Sequence, residues 1–115
     1  MHEVSLIQSL FEEVERQLAA HAGVSVNALH VRIGELAGVD PELFRSAYDL
    51  CRSQGPLAGA ELKLSVEAAA WACPGCGDDF ARGSVLSCAR CGAPARLTRG
   101  DGIFLDRIEA EVPDV

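Results

Sequence analysis

Two stretches, CPGCG at residues 73–77 and CARCG at residues 88–92, decide the fold of the middle of this chain. Each holds two cysteines with two residues between them, and this spacing lets both thiolates of a pair reach one tetrahedral metal ion. The second pair then completes four-coordination. The glycine that follows each pair suits a tight turn with a positive φ angle. The pattern predicts an inserted zinc-ribbon module, a structural zinc-binding domain over residues 73–100 with two Cys-x2-Cys knuckles.

The predicted zinc ligands are the four cysteines of these pairs: Cys73, Cys76, Cys88 and Cys91. So short a segment has almost no apolar core, so bound metal has to supply its folding free energy. Four sulfur ligands leave no open position for water or substrate, which argues against catalytic zinc. Alternatives are a single iron, a disulfide pair and a thioredoxin-like redox use. The fifth cysteine, Cys51, is expected to be a small buried hydrophobe.

Two amphipathic helices are predicted before this module. Apolar residues from Ile7 to Leu18 recur at the spacing of one helical face, and Gly23 is expected to end that helix. Asp40 is placed to cap a second helix whose first residue is Pro41. The expected apolar face of this second helix consists of Leu43, Phe44, Ala47, Leu50 and Cys51.

Period-two alternation of apolar and polar residues predicts three strands, at residues 29–33, 62–68 and 103–112. The alternation in the third strand slips near Asp106 and Arg107, which indicates a β-bulge. The simplest arrangement is an α+β fold, a small three-stranded sheet with two helices on one face. Residues 1–72 and 101–115 would then form one domain, from which the cysteine module projects between two strands.

The charge distribution excludes several function classes. The 115 residues include 17 acidic and 10 basic side chains, a net charge of −7, so no global positive field attracts nucleic acid or anionic lipid. No apolar run approaches the roughly 20 residues that a membrane span needs, and the N-terminus lacks a secretory signal pattern. We therefore expect a cytoplasmic protein with no membrane or nucleic-acid partner. Four arginines within residues 73–100 nevertheless keep a nucleic-acid-binding ribbon as an alternative.

The first residues offer a second metal site. The α-amine of Met1, the backbone nitrogen of His2 and the His2 imidazole can form fused chelate rings, a planar nitrogen set that suits Ni(II) or Cu(II). A fourth donor could come from Glu3 or Asp40. The alternative is a solvated terminal histidine, and for Asp40 a plain helix cap.

Four features in order resemble the hydrogenase maturation nickel metallochaperone family (HypA/HybF type). They are Met-His-Glu at residues 1–3 before an amphipathic helix, IGELAGV at residues 33–39 after a strand, the two cysteine pairs, and GDG at residues 100–102 before the last strand. The resemblance implies that His2 is the principal nickel ligand, Glu3 an adjacent ligand, and the four cysteines structural zinc ligands. It also implies delivery of Ni(II), as cargo, to the [NiFe]-hydrogenase large-subunit precursor alongside a nickel-handling GTPase.

Two other function classes are carried beside this hypothesis. A zinc-ribbon protein-interaction adaptor would have no nickel site, and a nucleic-acid-binding ribbon would show salt-dependent binding to DNA or RNA. An enzyme is the least favoured class, since no nucleophile and base are placed together in the sequence. The sequence leaves a homodimer open.

Overall fold

A computed structural model describes residues 3–21, 23–52 and 57–111 of the chain. Its elements, in chain order, are α1 (Glu3–Leu18), β1 (Ser25–Gly34), α2 (Pro41–Cys51), β2 (Glu61–Glu67), β3 (Ala70–Ala72), β4 (Arg96–Arg99) and β5 (Ile103–Glu111). Neither helix in these ranges has the length and apolar character needed to cross a bilayer.

The larger sheet has three strands in the order β2-β1-β5, with β1 in the centre. β1 runs parallel to β2 and antiparallel to β5. The parallel pair is connected through α2, because parallel neighbours need a crossover rather than a hairpin. β5 joins the other edge of β1 only after the chain has passed through the cysteine pairs. The predicted α+β class, with a three-stranded sheet and two helices, is confirmed.

One apolar cluster joins both helices to the inward side chains of β1. Its most deeply buried members are Ile7 and Val14 of α1, Leu29 of β1, and Phe44 and Tyr48 of α2. The hydroxyl of Tyr48 donates a 2.8 Å hydrogen bond to a backbone carbonyl, so this buried polar atom is satisfied. Residues 3–67 and 103–111 therefore form a body with its own core.

The predicted bulge in the last strand is confirmed. Val31 pairs with Leu105 and His30 with Arg107, so Asp106 has no partner in the register. The extra residue keeps the apolar side chains on both sides of the bulge directed at the core despite the phase slip. A second irregularity lies between Val26 and Ala28 of β1.

Two details of the helix predictions are wrong. α1 ends at Leu18, and Gly23 lies beyond it, with φ 76°, in the turn that leads into β1. In α2, Leu43 and Leu50 are 54% and 77% exposed rather than part of the inward face. Tyr48 takes that place beside Phe44, since positions 44, 47, 48 and 51 maintain the i, i+3, i+4, i+7 spacing that a single helical face requires.

A second, two-stranded sheet, formed by β3 and β4, was not predicted from the sequence. β2 ends at Glu67, within one residue of the predicted end, and after Ala68 and Ala69 the chain starts the new strand β3. Strands of three and four residues are too short to show alternation. This sheet lies at the base of the cysteine module and connects the two chain segments that link the module to the body.

Candidate metal centre

The two Cys-x2-Cys turns have the same backbone geometry. In the first, the N–H of Cys73 donates to the carbonyl of Asp78 at 2.9 Å, and the N–H of Gly77 donates to the carbonyl of Cys73 at 2.8 Å. The second turn repeats both hydrogen bonds, with the same lengths, fifteen residues further along the chain. Gly77 and Gly92 have φ angles of 75° and 73°, which favour glycine over any residue with a side chain.

The four thiols of these turns form one compact cluster. Their sulfur atoms all lie within 4.8 Å of one another, with Cys73 to Cys91 at 3.5 Å and Cys76 to Cys88 at 3.9 Å. A tetrahedral zinc ion with Zn–S bonds of about 2.3 Å separates its sulfur ligands by about 3.8 Å. A disulfide requires about 2.05 Å, and all five cysteines are free. The donor set therefore fits a tetrahedral thiolate-bound metal and does not form a disulfide.

Hydrogen bonding shifts the pKa values of two of the thiols in opposite directions. Backbone N–H groups of Cys91 and Arg90 lower the pKa of Cys88 to about 7. Bonds to the neighbouring thiols, that of Cys91 first, raise the pKa of Cys76 to about 12. Four thiolates this close repel one another unless a cation lies among them, so full ionisation of the cluster is coupled to metal binding.

The module around this cluster has little apolar interior. Within residues 73–99, Cys73 and Cys88 are buried, and Val85 is 79% exposed. The β3–β4 sheet adds Trp71, whose carbonyl accepts a 3.0 Å hydrogen bond from the N–H of Phe80. So little buried surface is typical of small modules whose folding free energy comes from a bound metal.

The connection between module and body is a close approach of backbones. The N–H of Gly34 donates to the carbonyl of Gly102 at 2.8 Å, and the N–H of Leu36 donates to that of Gly100 at 2.7 Å. A Cβ atom on Gly34 would lie 2.3 Å from the carbonyl of Gly100, so residue 34 has to be glycine for the chains to meet here. The end of β1 thereby fixes where the chain leaves the module.

Glu35 adds a side-chain link at the same place. Its carboxylate accepts two hydrogen bonds of 2.6 Å from the guanidinium of Arg82 and one of 2.7 Å from the N–H of Ala69. The Arg82 pair first, and the Ala69 bond second, lower the pKa of Glu35 to about 2. This link was not predicted from the sequence, in which Glu35 and Arg82 are 47 positions apart.

The structure describes two of the four residues predicted to bind nickel. Met1 and His2 lie outside the described residues. Glu3 is the first residue of α1 and is partly buried. Asp40 caps α2 as expected, with its carboxylate accepting a 2.8 Å hydrogen bond from the N–H of Glu42. Nickel binding by any of the four stays a prediction.

Comparison with known proteins identifies the family. Residues 1–110 match the family model described as "Hydrogenase/urease nickel incorporation, metallochaperone, hypA". A relative named hydrogenase maturation factor HypA from Shewanella halifaxensis is 30% identical, over 96% of this chain and 98% of its own. One of the same name from Deinococcus radiodurans is 36% identical, over 91% and 89%.

Solved structures agree with this assignment. A solution structure of a HypA protein superposes with a TM-score of 0.72 at 28% identity, covering 95% of each chain. The solution structure of the Ni metallochaperone HypA from Helicobacter pylori shares the fold, with a TM-score of 0.73 at 24% identity over 98% of this chain and 100% of that one. The chain therefore belongs to the HypA family of nickel metallochaperones for hydrogenase maturation.

Proposed function

We propose that this chain captures Ni(II) at its N-terminus and delivers it to the precursor of the [NiFe]-hydrogenase large subunit. The observation that carries the proposal is the family match, which begins at residue 1 and so includes the Met-His-Glu start. Relatives across most of the chain's length are named hydrogenase maturation factors. The fold shared with a nickel metallochaperone from Helicobacter pylori is consistent with the same use.

The proposed nickel donors are the Met1 amine, the His2 backbone nitrogen and the His2 imidazole, with Glu3 or Asp40 as candidates for a further donor. A planar nitrogen set of this kind suits Ni(II). A carrier has to release its cargo, and a site with few ligands at a chain terminus allows that, whereas a closed cage does not. Because the amine and the imidazole must both be unprotonated to bind, nickel affinity should fall as the pH drops.

The second part of the proposal concerns the cysteine cluster. Cys73, Cys76, Cys88 and Cys91 would hold Zn(II), which supplies the folding free energy that the module's small interior lacks. Four thiolates fill a tetrahedral shell, so the ion would have no position free for a reacting water. The zinc would therefore stabilise a docking module and take no part in chemistry, in keeping with a carrier rather than an enzyme.

We propose two protein partners, a nickel-handling GTPase and the large-subunit precursor, and a cytoplasmic location. The support is the maturation role named for the family. A zinc-ribbon adaptor without nickel transfer, or a ribbon that binds nucleic acid, would leave the N-terminal site unused. Nickel binding is therefore the measurement that separates these functions.

The test is a nickel titration, by calorimetry, of untagged wild type, His2→Ala and His21→Ala. His21 is a matched control, since it is an exposed histidine just beyond the end of α1. Loss of a residue that only orients a ligand commonly costs 10–100-fold in metal affinity, so loss of His2 should weaken nickel binding by at least about tenfold. His21→Ala should bind as wild type does.

A second chain carrying one extra residue before Met1 tests the terminal amine itself. Nickel affinity should fall as in His2→Ala, while the zinc content, measured by elemental analysis, stays at one ion per chain. Equal nickel affinity in all of these chains would remove the terminal site and with it the transport function.

A further inference from the structure

Among the residues that the structure describes, one ion pair joins the body to residues 73–100. It is the two-bond pair between Glu35 and Arg82. The other ion pair that involves the module, Arg90 with Asp78 at 3.5 Å, lies within it. A bidentate guanidinium–carboxylate pair fixes direction as well as distance, because two parallel bonds align the two planar groups.

The backbone links between body and module are concentrated where the two connecting segments cross. Glu35 accepts from the N–H of Ala69 in the incoming segment, and Glu67 accepts from the N–H of Gly100 in the outgoing one, at 3.1 Å. The two carboxylates lie near each other because the β1–β2 register pairs Gly34, the residue before Glu35, with Glu67. Bonds at one crossing point act as a pivot and leave rotation about that point weakly restrained.

Arg82 brings a third segment of the module to this pivot: its Nη1 donates to Oε1 of Glu35, the oxygen that also accepts from the N–H of Ala69. Arg82 belongs to the loop between the two cysteine pairs, thirteen residues beyond the bonded amide of Ala69 in the chain. The helices and strands of the body make at most slight contact with β3 and β4. A groove lined by Leu36, Trp71 and Gly83 runs beside the ion pair, so the loop is not packed tightly onto the body.

The two partners differ in shielding from solvent. The Glu35 side chain is 27% exposed and that of Arg82 is 69% exposed. The carboxylate, bonded to the N–H of Ala69 in the incoming segment, is shielded at the junction, while the arginine approaches from the solvent side. A pair of this kind is weakened by salt, since the Debye length falls from about 10 Å at 0.1 M to about 3 Å at 1 M.

We propose that Glu35 is a positioning residue: its ion pair with Arg82 holds the cysteine module in one orientation on the body, the orientation in which the chain transfers nickel to its partner. The described contacts support the orienting role of Glu35. Its effect on nickel transfer also rests on the proposed carrier function. A module that turned freely about the crossing point would present its surface to a partner in many directions. Holding one direction reduces the ordering cost of docking.

The experiment measures amide residual dipolar couplings in the full-length, metal-loaded chain for wild type, Glu35→Gln and Arg82→Gln. Glutamine keeps an oxygen for the N–H of Ala69 and removes the charge, so it isolates the ion pair. Arg90→Gln is the matched control, because Arg90 is an exposed arginine of the module whose partner is not in the body. The double exchange Glu35→Arg with Arg82→Glu restores the pair with its signs reversed.

In wild type one alignment tensor should fit both the body and the module. In Glu35→Gln and Arg82→Gln the module's tensor should shrink to half or less of the body's, and wild type at 1 M salt should move the same way. Arg90→Gln should behave as wild type, and the double exchange should recover a single tensor. A single tensor in both single variants would overturn the proposal.

The functional arm compares nickel affinity with the rate of nickel transfer to the hydrogenase precursor. Glu35→Gln should bind nickel as wild type does and transfer it more slowly, with the rate regained in the double exchange. An unchanged transfer rate in Glu35→Gln would refute the role in transfer. Absence of nickel binding in wild type would instead refute the carrier function, and the dipolar couplings would still decide whether Glu35 orients the module.

Discussion

The body and the cysteine module are stabilised by different means. In its described residues the body buries thirteen apolar side chains in one cluster, contributed by α1, α2, the sheet and the segment that leads into β2. Within residues 73–99 the buried side chains are two cysteines, Cys73 and Cys88, both members of the thiol cluster. One chain thus combines a body held by the hydrophobic effect with a module for which we propose stabilisation by metal coordination. Each should fail under a different perturbation.

The largest expected effect is removal of the metal. Structural zinc sites contribute about 10–16 kcal/mol to folding in small domains, more than so small a module can replace. Chelation, or Cys73→Ser, should therefore unfold residues 73–99 and leave the body folded. In a ¹H–¹⁵N correlation spectrum the module's amide signals should collapse towards random-coil positions, while those of β1 and α2 stay dispersed.

Cys51→Ser is the matched control for this experiment, because Cys51 is a free, partly buried cysteine outside the cluster. It should keep the module's spectrum and one metal ion per chain. Collapse of the body together with the module in Cys73→Ser would show that the two regions do not differ as described.

A core substitution should destabilise the body and leave the module intact, with a smaller effect than removal of the metal. Phe44 is 1% exposed, and truncation of a buried phenylalanine to alanine costs about 3–5 kcal/mol. Phe44→Ala should lower the body's free energy of unfolding by this amount in urea denaturation and leave the metal content unchanged. Its neighbour Leu43, which is 54% exposed, provides the control: Leu43→Ala should stay within about 0.5 kcal/mol of wild type. Metal loss in Phe44→Ala would contradict the separation.

The smallest effect concerns the link between the two regions. Arg82 and the Ala69 amide hold the pKa of Glu35 at about 2, below its ordinary value of 4.5. A lowered folded-state pKa means that the stabilisation is complete above about pH 4.5 and is lost as the pH falls towards 2. The difference in melting temperature between wild type and Glu35→Gln should be constant from pH 7 to 5 and shrink below pH 4.5. A melting-temperature difference that grows as the pH falls would contradict this prediction.

Features with a local cause were predictable from the sequence. The amphipathic helices, the cap at Asp40 and the bulge at Asp106 each follow from residues close together in the chain. The cysteine cluster was also predictable, because tetrahedral coordination dictates the spacing within each pair. The resemblance to the HypA family likewise rests on local motifs: the Met-His-Glu start, IGELAGV at residues 33–39, the two cysteine pairs and GDG at residues 100–102.

Other features depend on contacts between distant residues and left no local signal. Glu35 and Arg82 are separated by 47 positions, and nothing near either one indicates the other. The exposure of Leu43 and Leu50 is set by how α2 lies on the sheet, which the helical pattern alone does not fix. β3 and β4 are too short for alternation to be read, so the base of the module was missed.

The strand order has a consequence for biosynthesis. The partner of β1 on one edge, β5, is the last strand to leave the ribosome, after all four cysteines of the thiol cluster have emerged. Until then the central strand has a single neighbour. Closing the sheet across a long intervening segment is inexpensive, because each doubling of loop length adds only about 0.6 kcal/mol. A newly made chain can therefore complete its body whether or not its cysteines have bound a metal ion.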